Sequence, residues 1–242
     1  MEEGLRERKK RETRQRIADI AMGLFLQRGF DNVTVAEVAR AADVSVNTVF
    51  NYFRTKEDMF LDRSEETEDL LARAVRERRA GETAVEAVRR DFFEALDAGD
   101  WRYGMSEGAD LFAQRVRESP ALQSRVRMLD VHREERLART LADETDADPD
   151  DLTPWLVSAQ ICAVVRALTR HFAMRQMAGE DATLIRADIR ENAERAFELL
   201  ERGVGDYCTR WDRSPSTPVS GSPAGSPPFP SSTRADLAGS DQ

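Results

Sequence analysis

Apolar residues recur along most of this chain every three or four positions, the spacing of one face of an α-helix, and nowhere do they alternate convincingly as in a strand. Ile17, Ile20, Ala21, Leu24 and Phe25 fall at i, i+3, i+4, i+7 and i+8 and predict an amphipathic helix over 14–27. Gly29 suits the residue that closes it, and Phe30 can fold back onto Phe25. A short helix follows over 34–41. Thr34 is its N-cap, Glu37 completes a capping box, and Val35, Val38, Ala39 and Ala42 form its apolar face. Ala42-Asp43-Val44 reads as a tight turn, since Asp tolerates a left-handed backbone. Ser45 then caps a second short helix. Val46, Val49, Phe50 and Phe53 are expected on its apolar side, leaving Asn47, Thr48 and Asn51 outward.

Thr55 is expected to cap one long connecting helix running to about Arg79, apolar on one side only in part. Further helices are predicted over 83–98, 101–114, from Ser119-Pro120 to about Leu141, over 153–178 and over 181–203, with an acidic loop over 143–151. The sum is an all-α chain of about nine helices. Its expected parts are a head (1–54), a larger helical body (55–203) and a tail (204–242). The tail holds six of the nine prolines among Ser, Gly, Thr and Ala, a composition expected to stay disordered.

Two short helices crossing through a three-residue turn, the second opening on small polar side chains, suit insertion into a DNA major groove. In that reading Ser45, Val46, Asn47, Thr48 and Asn51 lie at base edges or phosphates, and Thr34, Tyr52 and Lys56 hold the DNA backbone. Lys56 sits at a helix N-terminus, where a cation is misplaced unless an anion is beside it, so a phosphate contact is expected. Arg6, Lys9 and Lys10 belong to a basic cluster that reads either as a frayed end or as an arm to phosphates or the minor groove.

At these residues the segment resembles the DNA-binding half of the TetR family of bacterial repressors. Thr34, Val44, Ser45, Thr48, Phe50, Tyr52, Phe53 and Lys56 carry the likeness, which is close over about the first sixty residues. Asp43 stands where that family usually has Gly, and Phe50 where a Tyr is common, so a phosphate-binding hydroxyl is absent there. The resemblance implies a helical body that binds a small effector and pairs with a second copy.

Charge sharpens the picture. The net charge of −9 divides unevenly: residues 1–56 hold eleven Lys and Arg against eight Asp and Glu, the remainder 25 against 37. A modestly basic head on an acidic body is the electrostatic form of a protein that binds DNA at one end. Two cysteines, without a CxxC pair, fit a reducing cytoplasm. No apolar run is long enough for a membrane span, and the charged N-terminus is not followed by a signal-peptide segment.

In the body, Val157, Ile161, Val164, Val165 and Leu168 form one stripe, and Ile185, Ile189, Ala193, Ala196, Phe197 and Leu200 another. They read as a four-helix interface between two copies, or as completion of a monomeric core. Pairing is expected because one head reads too few base pairs to be selective. Phe92, Phe93, Trp101, Tyr103, Met105, Phe112, Met128 and Trp155 are large enough to line an apolar cavity, with His132, Arg133, Cys162 and Arg166 as candidate handles. Singly, each of the apolar ones is ordinary core; the resemblance favours a pocket. Arg133 lies in an apolar stripe and calls for a carboxylate from Glu107, Asp110 or a ligand. No Gly-rich phosphate loop, nucleophile elbow or metal-spaced cluster is present, so neither an enzyme, a metal nor a cofactor is expected. The expected partners are double-stranded DNA, a second copy and a small, largely apolar effector, with no membrane.

Overall fold

The computed structural model describes residues 4–106 and 108–209. They form ten α-helices and one 3-10 turn, without a strand among the described residues. The head comprises α1 (Leu5–Arg28), α2 (Val35–Ala41), α3 (Val46–Tyr52) and α4 (Lys56–Phe60). The body comprises α5 (Ser64–Arg76), α6 (Ala84–Ala98), α7 (Ala109–Glu118), α8 (Pro120–Thr145), α9 (Thr153–Met177) and α10 (Ala182–Val204). None of these helices is long and apolar enough to cross a membrane.

Local chemistry starts several of these helices as expected. Thr34 with Glu37, Thr55 with Asp58 and Thr83 with Glu86 each complete a capping box. The Asp181 side chain accepts from the Thr183 and Leu184 amides. At Gly29 the backbone has φ +87°, and the Phe25 and Phe30 rings lie 5.0 Å apart across the stop. A Cβ there would come within 3.1 Å of the Asn32 amide nitrogen, on a backbone that L side chains avoid.

Four expectations are corrected. First, α1 begins at Leu5 rather than near Arg14, and it carries Arg6, Lys9 and Lys10 on its exposed first turns. Second, the connecting helix is broken. Leu61, Asp62 and Arg63 turn between α4 and α5, where Asp62 pairs with Arg14 of α1 and Leu61 is buried with Met59 and Phe60 in the head. Burial raises the Asp62 carboxyl above its ordinary range, and the Arg14 charge opposes that shift. Third, the helix expected over 101–114 is interrupted by Gly104 (φ +66°) and Gly108 (φ +81°), leaving a 3-10 turn Trp101–Tyr103 ahead of α7. Fourth, α8 runs to Thr145, into the segment expected to be acidic loop.

Two apolar clusters hold the fold. The body cluster joins α5, α6, α8, α9 and α10 around Phe92, Phe172 and Phe197. The head cluster contains Ile17, Ala21, Phe25, Phe30, Val38, Val49 and Phe53, but also Met59, Phe60 and Leu61, and Leu122 and Leu129 from α8. Phe112 of α7 stacks on Phe60, with centroids 4.6 Å apart. Polar links repeat the connection: Ser119 Oγ donates to Asp31 (2.9 Å), Arg125 to Asp58 (3.1 Å) and Arg115 to the Leu26 carbonyl (3.2 Å). The head core therefore continues past residue 54 into α4, α7 and α8. At the other end, Cys208 is buried with the body core and its carbonyl accepts from buried Arg78 (3.1 Å). The tail expected to be disordered lies outside the described residues from 210 onward.

Candidate nucleic-acid interface

The turn between α2 and α3 is set by Asp43, whose φ of +52° is the left-handed conformation expected of it. The Val44 amide donates back to the Ala39 carbonyl (3.0 Å), which fixes the crossing of the two helices. Ser45 Oγ accepts from the Thr48 amide (3.0 Å) and pairs with the Thr48 hydroxyl (2.8 Å). Both hydroxyls are thus oriented locally, with Ser45 still exposed and Thr48 half-buried. Val49 and Phe53 anchor α3 in the head core, and the Arg14 guanidinium lies 4.6 Å over the Phe53 ring. Asn47 and Asn51 are exposed, and Tyr52 is half-buried.

Val46 and Phe50 depart from expectation. They were assigned to the apolar, inward side of α3, yet Val46 is 38% and Phe50 51% exposed. Across so short a helix Val49 and Phe53 fill the core, with Tyr52 packed against it, and Val46 and Phe50 are left largely in solvent.

Thr34 and Lys56 are both occupied within the head. The Thr34 amide and hydroxyl donate to Glu37 (2.8 Å each), and Arg28 donates to the same carboxylate (2.7 Å). Those donors hold Glu37 down at about 2, the Thr34 amide contributing most. The Lys56 ammonium donates to the Phe30 and Val33 carbonyls (2.8 and 2.9 Å) and lies 4.2 Å from the centre of the Phe30 ring. Within the chain its cation is met by the open carbonyls of the α1–α2 loop. It braces that loop, a role that sequence spacing did not suggest because the partners lie more than twenty residues away.

The candidate ligand residues fall in different parts of the structure. Phe92, Tyr103, Met105 and Cys162 are packed in the body core, with Phe93 against Phe197. Burial pushes the Cys162 thiol up to about 11. Phe112 belongs to the head cluster, and Trp101 lies under the Arg63 guanidinium (4.5 Å). Met128, Trp155, His132 and Arg166 are exposed. Arg133 takes Asp130 (3.0 Å) and the Thr67 carbonyl (3.0 Å) rather than Asp110; the alternative partner Glu107 lies outside the described residues. Tyr103 explains the closure. Its hydroxyl donates to Asp91 (2.8 Å), which also binds Arg102 (2.9 Å), and this draws the 3-10 turn onto α6. Open grooves lie along α1 by Gln15 and Asp19 and along α8 by Met128 and Val131.

The candidate pairing stripes also face inward. Val157, Ile161, Val165, Leu168, Ile185, Ile189, Ala193, Phe197 and Leu200 are buried within one chain, and Val164 and Ala196 pack against them. They join α9 and α10 to the rest of the body. The outward face of α9 is a different stripe, Leu156, Ala163, Ala167 and Met174, with Leu184 and Leu199 exposed on α10.

An anchored, outward-facing second helix in a tight two-helix turn, mounted on a helical body, defines a helix-turn-helix DNA-binding regulator. Residues 17–62 match the family described as bacterial regulatory proteins, tetR family. Over 178 residues the chain is 32% identical to the HTH-type transcriptional regulator TcmR of Streptomyces glaucescens, covering 71% of this chain and 78% of that protein. Its similarity to the HTH-type transcriptional regulator LuxR of Vibrio harveyi is 46% identity over 46 residues, 19% of this chain and 22% of that one. Among solved structures, the SmeT–triclosan complex aligns at TM-score 0.54 and 16% identity, over 85% of this chain and 98% of that one. NalD, the secondary repressor of the MexAB-OprM multidrug efflux pump in Pseudomonas aeruginosa, aligns at 0.51 and 21%, over 80% and 96%. At those identities the structural likeness speaks for the fold alone. The chain belongs to the TetR family of transcriptional regulators.

Proposed function

We propose that this protein binds operator DNA as a homodimer, represses transcription, and is released by a small, largely apolar effector taken up by the body. The observation that carries the reading is the presentation of α3: Asn47 and Asn51 are exposed on a helix whose opposite side is fixed by Val49 and Phe53. A side-chain amide can bond adenine N6 and N7 together, which makes Asn47 the leading base-reading residue. Ser45 and Thr48 supply hydroxyls, and Tyr52, Arg6, Lys9 and Lys10 supply contacts to the DNA backbone. Pairing is assigned to the outward stripe Leu156, Ala163, Ala167 and Met174, because the inward stripes are already used within the chain. The SmeT–triclosan complex gives a precedent for a small apolar ligand on this fold.

Selection of bound sites from random DNA tests the reading. A two-fold symmetric site is expected, and Asn47→Ala should relax the preference at one position of each half-site by about 1–3 kcal/mol. Failure to enrich any sequence would overturn it. The closed packing around Tyr103 and Asp91 favours a second reading, a regulator whose body serves only pairing or docking. A ligand screen by thermal shift separates the two, because an effector raises the melting midpoint.

A further inference from the structure

We infer that Phe50 and Val46 read thymine, by covering the C5-methyl groups that this base alone projects into the major groove. The inference rests on the reading of α3 as the groove-inserted helix and names what its apolar part recognises. The two residues stand one helical turn apart and are 51% and 38% exposed, and neither is among the buried residues of the head core. The contrast with the other head aromatics is sharp. Phe25, Phe30 and Phe60 interlock at 5.0 to 6.0 Å, and Phe53 lies beneath Arg14. Among the described residues the Phe50 ring meets no other ring and no cation.

A solitary exposed apolar residue would call for no explanation. Two on one turn of a seven-residue helix, beside exposed Asn47 and Asn51, form a mixed surface with a definite counterpart. A second protein copy fits it poorly, because two asparagine amides would be buried with the apolar pair. The major groove fits it well. Each A·T pair offers the adenine N6 and N7 to an amide and the thymine methyl to an apolar group. A phenylalanine donates no hydrogen bond, so its contribution comes from apolar contact, for which the thymine methyl is the projecting group, and not from a hydrogen bond to phosphate.

The test uses the full-length protein and an operator found by site selection. Each conserved thymine of a half-site is replaced in turn by deoxyuridine, which removes the methyl and leaves every hydrogen-bonding group in place. At the thymine under Phe50 the wild-type protein should lose about fourfold in affinity, the factor that one buried methyl-sized group is worth. Phe50→Ala should bind the thymine operator more weakly and be indifferent to the same replacement, with an unchanged dependence on salt. Wild-type binding that is equal on thymine and deoxyuridine at every position would overturn the inference. So would a Phe50→Ala protein that keeps the full penalty. Both results leave operator binding itself intact, whereas failure to select any site would remove the reading of α3 on which the inference depends.

Discussion

Glu37 shows how much a single side chain settles in the head. It joins the first turn of α2 to Arg28 at the end of α1, and its carboxyl is held down at about 2 from an ordinary 4.5. A depressed carboxyl stabilises the fold fully above its unfolded value and loses that contribution as pH falls toward its folded one. Glu37→Gln should therefore be less stable than the parent at pH 7, with the two urea-unfolding curves converging as pH drops from about 4.5 toward 2. A constant difference over that range would show that Glu37 acts only through packing. Thr34→Ala removes the hydroxyl half of the same box and should cost about 1 kcal/mol at neutral pH by the same measurement. This device was legible in the sequence because both members lie within four residues. Lys56 was not, since its carbonyl partners at Phe30 and Val33 come near only once α1 and α4 have packed.

Among the elements, caps, stops and the apolar faces of α1 and α2 were legible, and the faces of α3 and α9 were not. Thr83 with Glu86, Gly99 and Asp181 act where the chain places them, because a helix terminus is satisfied by its own neighbours. The side of a helix that turns inward depends on what lies opposite. In α9 both flanks are apolar, and the within-chain partner took the stripe through Ile161 and Leu168. In α3 the reverse happened, and Phe50 was left outside. The break after α4 has no local signal for a similar reason: Asp62 turns toward Arg14, some fifty residues earlier. The most consequential long-range element is α8, which contributes fully buried Leu122 to the head. Leu122→Ala should destabilise by about 2–5 kcal/mol. Hydrogen exchange should then quicken at amides of α1 and α2, as well as in α8 itself. Undisturbed protection in the head would place Leu122 in the body alone.

For the molecule as a whole, the pairing proposed for the outward stripe of α9 can be tested separately from folding. Leu156→Glu, together with Ala163→Glu, places charge on an exposed face and leaves the buried stripe untouched. The doubly substituted protein should keep its helical signal, sediment as a monomer and bind a full operator no better than a half-site. A dimer that survives both changes would send the interface elsewhere. Val157→Ala, on the inward stripe, should lower stability without dissociating the pair, which the same sedimentation run would report.

The sharing of Leu122, Leu129 and Phe112 between the two parts of the chain also limits how such regulators are recombined. A chimera that grafts residues 1–54 onto an unrelated body would carry the DNA-reading surface but leave Phe25 without the Phe60 ring it packs against. Exchange of specificity between relatives then calls for transplanting α3 alone, or for moving the head with α4 and the matching turns of α7 and α8.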